Sequence, residues 1–298
     1  MRRSFRLVVG SAIAAFAAPA FGQHAGFVLF GDPNPAAAAV TPNRKAVHPI
    51  TSPYFHEDSF VTTDLRAWFA YHNFPNSIAL AGGHAKVYAL QVRVALTDQL
   101  QLVAYKDGYV DFNTGLIQDD GWNDLAAGLK WNFYQDFEND LHAAAGVGYQ
   151  FAVGDPSVLQ NDQELRLWAS VNKGFDNLHL GATVNYLVHT GHEDALGSSD
   201  RLFWHLHADY HINEYVSPVL EFNGYHTVRD GDNDVLPFSG SDVVNLGGGD
   251  DVVTVGVGVE VRPIRETNFA VRVAYETALT SGEDLWGNRW TISAVYGF

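Results

Sequence analysis

The 298-residue chain has no cysteine and a single methionine. Disulfides, thiolate metal centres and cysteine nucleophiles are therefore excluded, and the fold must hold by backbone pairing and packing. Long apolar runs are also missing beyond the N-terminus. The most apolar later stretch, Val252 to Val261, is short and interrupted by Gly256, Gly258 and Glu260. A spanning helix needs ~20 apolar residues, so a helical membrane protein is excluded, whereas a barrel strand needs only ~9–11 of alternating polarity. Basic residues are scarce, with 18 Lys and Arg against 34 Asp and Glu and a formal charge of −16. No basic stripe is visible, which excludes nucleic acid as a partner.

The first segment reads differently from the rest. Arg2, Arg3 and Arg6 precede the apolar stretch Leu7 to Phe16, followed by Ala18, Pro19, Ala20 and Gly22. This is the pattern of a secretory signal peptide over residues 1–22, cut after Ala20 or Gly22; an N-terminal membrane anchor is the alternative. Loss of those three arginines would leave 15 basic against 34 acidic residues, a charge of about −19.

From residue 59 to the end, polarity alternates with period two. Leu125, Ala127, Leu129, Trp131 and Phe133 share one face, and Asp124, Ala126, Gly128, Lys130 and Asn132 the other. Val253, Val255, Val257, Val259 and Val261 alternate in the same way with Thr254, Gly256, Gly258, Glu260 and Arg262. Twelve such segments are predicted, at 60–73, 84–96, 99–110, 123–134, 140–152, 163–174, 177–189, 201–212, 215–227, 251–262, 268–279 and 288–298. The connections after even-numbered segments are short, and those after odd-numbered ones longer and, from segment three onward, acidic, as at Asp119-Asp120, Glu193-Asp194, Asp230 to Asp234, Asp250-Asp251 and Glu283-Asp284. An even count, long segments and a short–long rhythm predict an all-β fold, a closed antiparallel transmembrane barrel of about 12 strands with both termini periplasmic. A soluble β-sandwich, with strands of ~5–6 residues, is the alternative.

In this reading the apolar face meets lipid. Trp131, Phe133, Tyr149, Phe151, Tyr210, Tyr275, Trp290, Tyr296 and Phe298 lie near segment ends, as interfacial aromatics do. The acidic loops would meet the cations of a lipopolysaccharide layer. The other face would line a narrow lumen of mixed charge, formed by Asp64, Arg66, Arg93, Lys130, Glu164, Arg166, Glu221, Glu260, Arg262, Arg272, Glu276 and Arg289, with His205, His207, Asp209 and His211 from one strand. Either a constricted passage or a bracing network of ion pairs fits that list. The histidines could converge on a metal, but alternate spacing is automatic on a polar strand face, and no metal or other cofactor is assigned. Residues 23–58, with Pro33, Pro35, Pro42, Pro49 and Pro53, do not alternate. They are expected to form an irregular periplasmic segment or a plug, ahead of a barrel over residues 59–298.

The last segment, with Trp290, Ile292, Ala294, Tyr296 and Phe298 at every second position, resembles the C-terminal signal of bacterial outer-membrane proteins. That resemblance implies recognition by the barrel-assembly machinery through Trp290, Ile292, Tyr296 and Phe298. The runs Leu96 to Leu102 and Gly121 to Lys130 are similar to channel-like outer-membrane proteins associated with the meta-pathway of phenol degradation. That likeness implies uptake of small hydrophobic compounds and little mechanism. The expected function is passive passage of a small solute, with hydrophobic or aromatic compounds among the candidates. An outer-membrane enzyme acting on lipid and a non-conducting structural or adhesive barrel are the alternatives. Neither a His-x-Ser-Asn nor a Gly-x-Ser-x-Gly motif is present, and Gly247 to Gly249 lacks the Lys-Ser/Thr of a phosphate loop, so no enzymatic activity is expected.

Overall fold

The computed structural model describes residues 27–32, 46–76, 81–191, 199–229, 251–264, 267–280 and 286–298. The signal-peptide reading and the acidic runs at Glu193-Asp194, Asp230 to Asp234 and Glu283-Asp284 lie outside these residues. The chain forms one closed antiparallel barrel with twelve wall positions. Its strands are β1 (Asp64–Asn73), β2 (Gly83–Ala95), β3 (Leu100–Lys106), β4 (Tyr109–Thr114), β5 (Asp120–Trp122), β6 (Leu125–Asp136) and β7 (Leu141–Phe151). They continue with β8 (Glu164–Phe175), β9 (Leu178–His189), β10 (Asp200–Tyr210), β11 (Val216–Arg229), β12 (Val252–Val261), β13 (Phe269–Ala278) and β14 (Asn288–Gly297).

β3 with β4, and β5 with β6, are each one wall strand in two pieces. β2 pairs with β3 through Val92↔Ala104 and with β4 through Tyr88↔Tyr109, so the chain bulges at Asp107 and Gly108 between them. Gly108 has φ +115°, and a Cβ there would lie 2.4 Å from the Tyr88 carbonyl oxygen. Only glycine fits that turn without strain. The third predicted segment therefore extends beyond residue 110 to Thr114, and the fourth begins three residues earlier, at Asp120. The bulge adds one residue, so inward parity passes from odd positions in β3 (Val103, Tyr105) to even ones in β4 (Val110, Phe112), a break that an alternation read within one segment does not register.

Closure joins β1 to β14 in antiparallel register, from Asp64↔Gly297 to Asn73↔Asn288. The Phe298 N–H extends it by donating to the Thr63 carbonyl at 2.9 Å. Turns at one end are short, such as Phe175 to Leu178, whereas those at the other run as far as Arg229 to Val252. Both barrel ends of the chain, Asp64 and Gly297, lie at the short-turn end.

The pleat separates two chemistries. Leu125, Leu129, Trp131, Phe133, Val147, Phe151, Leu167, Leu206, Val257, Trp290, Ile292 and Tyr296 are exposed outward, while Lys130, Asn132, Arg166, His205 and Arg289 are fully buried inside. An apolar exterior around a charged interior reverses the soluble arrangement and is the surface of a transmembrane barrel of the outer-membrane type. No helix among the described residues is long and apolar enough to cross a membrane.

Candidate functional site

A twelve-strand barrel is wider than wall side chains alone can fill, and here a part of the chain lies inside it. Residues 46–63 run from the short-turn end up the β10–β11 side, turn near mid-height, and return down the β6–β9 side to β1. The path is marked by its main-chain contacts. Asp209 accepts the Val47 N–H at 3.1 Å, and Glu221 accepts those of Ile50 and Thr51 at 3.0 and 2.7 Å. At the top, the Arg166 guanidinium donates to the Tyr54 and Phe55 carbonyls at 2.9 and 2.8 Å. On the way down, Lys130 donates to the Asp58 carbonyl, while Asn172 and Asn132 take the Ser59 N–H and C=O. Pro49 and Pro53 keep the ascending leg irregular, since neither can donate to a ladder. The segment is short of main-chain partners of its own, and the wall supplies them.

Side chains add a charged contact and an aromatic one. Glu57 is fully buried and meets Arg93 at 2.6 Å and Lys130 at 3.8 Å. Burial alone would raise its carboxyl, but Arg93, Lys130, Arg166 and Arg66 hold it below the ordinary glutamate value. Asp58 lies 2.5 Å from His48 and 3.5 Å from Lys130. At the tip, Tyr54 packs edge-on to Trp68 at 5.0 Å and Phe55 to Phe203 at 5.4 Å. The Tyr54 hydroxyl donates to the Asp107 carbonyl at 2.7 Å and accepts from Asn123 at 2.8 Å. The Asp107 carbonyl is available because the wall bulges there.

The inward residues singled out from the sequence take these positions. Asp64 pairs with Arg66 at 2.6 Å, and Glu164 with Arg201. Glu260 takes both Arg262 and Arg272 at 2.7 Å, and Glu276 takes Arg289 at 2.5 Å. Arg262, just beyond β12, is part-exposed at the short-turn rim. His207 bridges Glu221 at 2.7 Å and Asp209 at 3.1 Å, and His205 is bonded to Asn223 at 2.8 Å. His211 is buried just past the end of β10. Among the described residues, no group of three or more His, Asp or Glu is placed to hold a metal ion. Charges buried in this number are tolerable only because each is met by an opposite charge or a hydrogen bond.

Several residues that shape the interior were not singled out. Trp68, Tyr105, Trp168, Phe203, Tyr225 and Trp286 face inward in the half nearer the long loops, in one apolar cluster or against it. Arg166 lies over Trp168 and Tyr105 at 4.5 and 4.6 Å. Trp68 has the same strand parity as Asp64 and Arg66, so position, rather than residue type, is the signal that finds it. The lumen is thus polar in its short-turn half, whereas its long-loop half sets these rings among the ion pairs Glu164–Arg201 and Glu276–Arg289, with the inner segment's tip against the rings. Beside the segment, a gap lined by His56, Arg66, Gln91 and Arg272 has a volume of about 10 Å³, close to the least a single water needs.

No family model matches this chain, and no curated protein matches it. The narrower likeness to meta-pathway proteins therefore gains no support from comparison. Solved structures are similar in fold. The KdgM porin is 10% identical with a TM-score of 0.45, over 78% of this chain and 99% of that one. The translocator domain of autotransporter NalP from Neisseria meningitidis is 11% identical with a TM-score of 0.47, over 80% and 88%. LpxR from Salmonella typhimurium is 10% identical with a TM-score of 0.43, over 79% and 100%. LpxR is an outer-membrane barrel enzyme, so the expectation that this chain is no enzyme is withdrawn. Missing serine and phosphate-loop motifs exclude only the chemistry those motifs carry, and the barrel architecture is shared by porins and enzymes alike.

Proposed function

We propose that the chain is an outer-membrane channel for a small solute, and that residues 46–63 hold it shut. The observation that carries this reading is the inner segment itself. It fills the bore of a twelve-strand barrel through hydrogen bonds and ion pairs, which water could replace once the segment moved, with aromatic packing added at its tip. With the segment out, the passage would run from a long-loop half of aromatic rings and ion pairs to a mixed-charge short-turn half lined by Asp64, Arg66, Arg93, Lys130, Glu260 and Arg272. The aromatic rings there favour solutes with an apolar or aromatic body, including the small hydrophobic compounds that the meta-pathway resemblance implies. The short-turn end would face the periplasm, as in outer-membrane barrels generally. Trp290, Ile292, Tyr296 and Phe298 would serve the assembly machinery, and the acidic loops would face lipopolysaccharide.

Planar-bilayer conductance tests the reading. The native chain should carry little current, and a variant whose segment is weakened, Glu57→Gln with Asp58→Asn, should show stepwise currents. Loaded liposomes should then release a small aromatic solute faster than a sugar of similar size. Absence of current in both proteins, each running as a folded band that shifts on boiling, would sink the channel and leave a structural barrel.

A further inference from the structure

The inner segment is held in a way that points beyond a plug. An apolar plug would be recognised by its side chains, but here much of the recognition falls on the peptide backbone. Glu221 spans two consecutive N–H groups, at 3.0 and 2.7 Å. Arg166 spans two consecutive carbonyls, at 2.9 and 2.8 Å. Asn172 and Asn132 take the N–H and the C=O of one residue, Ser59, at 2.8 and 2.6 Å. All four wall side chains are buried, on β11, β8 and β6. Acidic or amide oxygens meet N–H groups and cationic or amide nitrogens meet carbonyls, which is the complementarity a peptide backbone outside any ladder needs.

The geometry points to a peptide-binding site in the lumen, for which residues 46–63 are the resident ligand and which can take a separate peptide of the same kind. Its ligand class is a peptide of irregular backbone folded back on itself through a turn, with an aromatic pair at the turn followed closely by an acidic pair. The aromatic pair is Tyr54-Phe55 here, seated against Trp68 and Phe203. The acidic pair is Glu57-Asp58, seated against Arg93 and Lys130. These two subsites supply sequence preference, while the backbone contacts supply affinity that is indifferent to sequence. A tethered copy competes at an effective concentration on the order of millimolar, so a free peptide gains entry only when the resident segment is weakened.

The test is a binding measurement, independent of whether the barrel conducts. The full-length chain in detergent micelles carries Tyr54→Ala, Phe55→Ala and Asp58→Asn, with every wall residue kept. A fluorescein-labelled synthetic peptide with the native sequence of residues 46–63 is titrated by fluorescence anisotropy. Saturable binding is expected, at least about tenfold tighter than to the native chain, where the tethered copy fills the site. Scrambling the peptide, or adding Arg166→Met to the weakened chain, should each cost about tenfold or more in Kd. If the triple variant gives no folded band before boiling, the milder Tyr54→Ala/Phe55→Ala chain is read by the same criteria. Equal binding to native and weakened chains, equal binding of native and scrambled peptides, or no saturable binding to a folded weakened chain would overturn the site.

Discussion

His56 of the inner segment lies face to face with His205 of β10, their ring centroids 4.9 Å apart and their planes 21° apart. His205 Nδ1 is engaged with Asn223, while His56 Nδ1 and His205 Nε2 are buried without a hydrogen-bond partner. Two stacked rings of this kind pack well when neutral and repel when both are charged. The contact joins the moving part of the proposed channel to its wall, so protonation there acts on closure.

Acidification should therefore open the channel. Burial pushes the His56 imidazole from 6.5 down to about 4. His207 of β10 opposes its charge, while Glu221 of β11 and Glu57 and Asp58 of its own segment favour it. Arg66 of β1 and Arg272 of β13 line the gap beside it. A group whose pKa is lowered in the closed state binds more protons once released. Closure is thus at full strength above about pH 6.5 and weakens toward pH 4, by roughly 3 kcal/mol over that span. Bilayer open probability should rise across the window for the native chain and stay flat for His56→Phe, which keeps the ring and removes the titration. Identical pH curves for the two proteins would place the sensitivity elsewhere.

Glu57 should matter to closure and stability together. Glu57→Gln leaves Arg93 buried without its carboxylate and Lys130 with Asp58 alone, a loss on the order of 3 kcal/mol for a buried pair broken from one side. The temperature at which the folded band disappears from the gel should fall, and basal current should rise. Replacing both partners, Glu57→Met with Arg93→Met, should recover part of the thermal loss, since an apolar pair leaves fewer charges unmet.

A wall pair should behave differently. Arg289 of β14 and Glu276 of β13 sit opposite one another in register and lie 2.5 Å apart, with neither in the inner segment. Arg289→Met should lower the unfolding temperature by about as much as Glu57→Gln while leaving the closed-state current unchanged. A leak in Arg289→Met equal to that of Glu57→Gln would mean that interior charge, and not the segment, sets closure.

The wall was legible in the sequence because lipid outside and charge inside impose period two on every strand. Leu129 and Lys130 fall on opposite faces from neighbouring letters alone, and the barrel exposes one by 43% and buries the other completely. What period two does not encode is what lies across the bore. Nothing local to Glu57 says that Arg93 and Lys130, 36 and 73 positions away, converge on it. Trp68 and Trp168 are hidden for the opposite reason: they occupy inward parity and are buried, while an aromatic letter on a barrel strand points to the lipid interface. Prolines 49 and 53 signalled an irregular segment and left open which side of the membrane interface it occupied.

The bulge at Gly108 links wall and segment and gives the most specific prediction. Its φ of +115° and the 2.4 Å approach of a Cβ to the Tyr88 carbonyl leave no room for alanine without a shift of the strand. Straightening the strand would turn the neighbouring Asp107 carbonyl back into the wall, away from the Tyr54 hydroxyl that donates to it at 2.7 Å. Gly108→Ala should therefore lower the unfolding temperature, at a cost of ~1–3 kcal/mol for a strained backbone, and also raise the current. Tyr54→Phe isolates the second effect, since it removes one hydrogen bond, worth ~1 kcal/mol, and leaves the bulge intact. Its unfolding temperature should fall less than that of Gly108→Ala, with a similar rise in current. A closed, fully stable Gly108→Ala barrel would show that the bulge is incidental to how the segment is held.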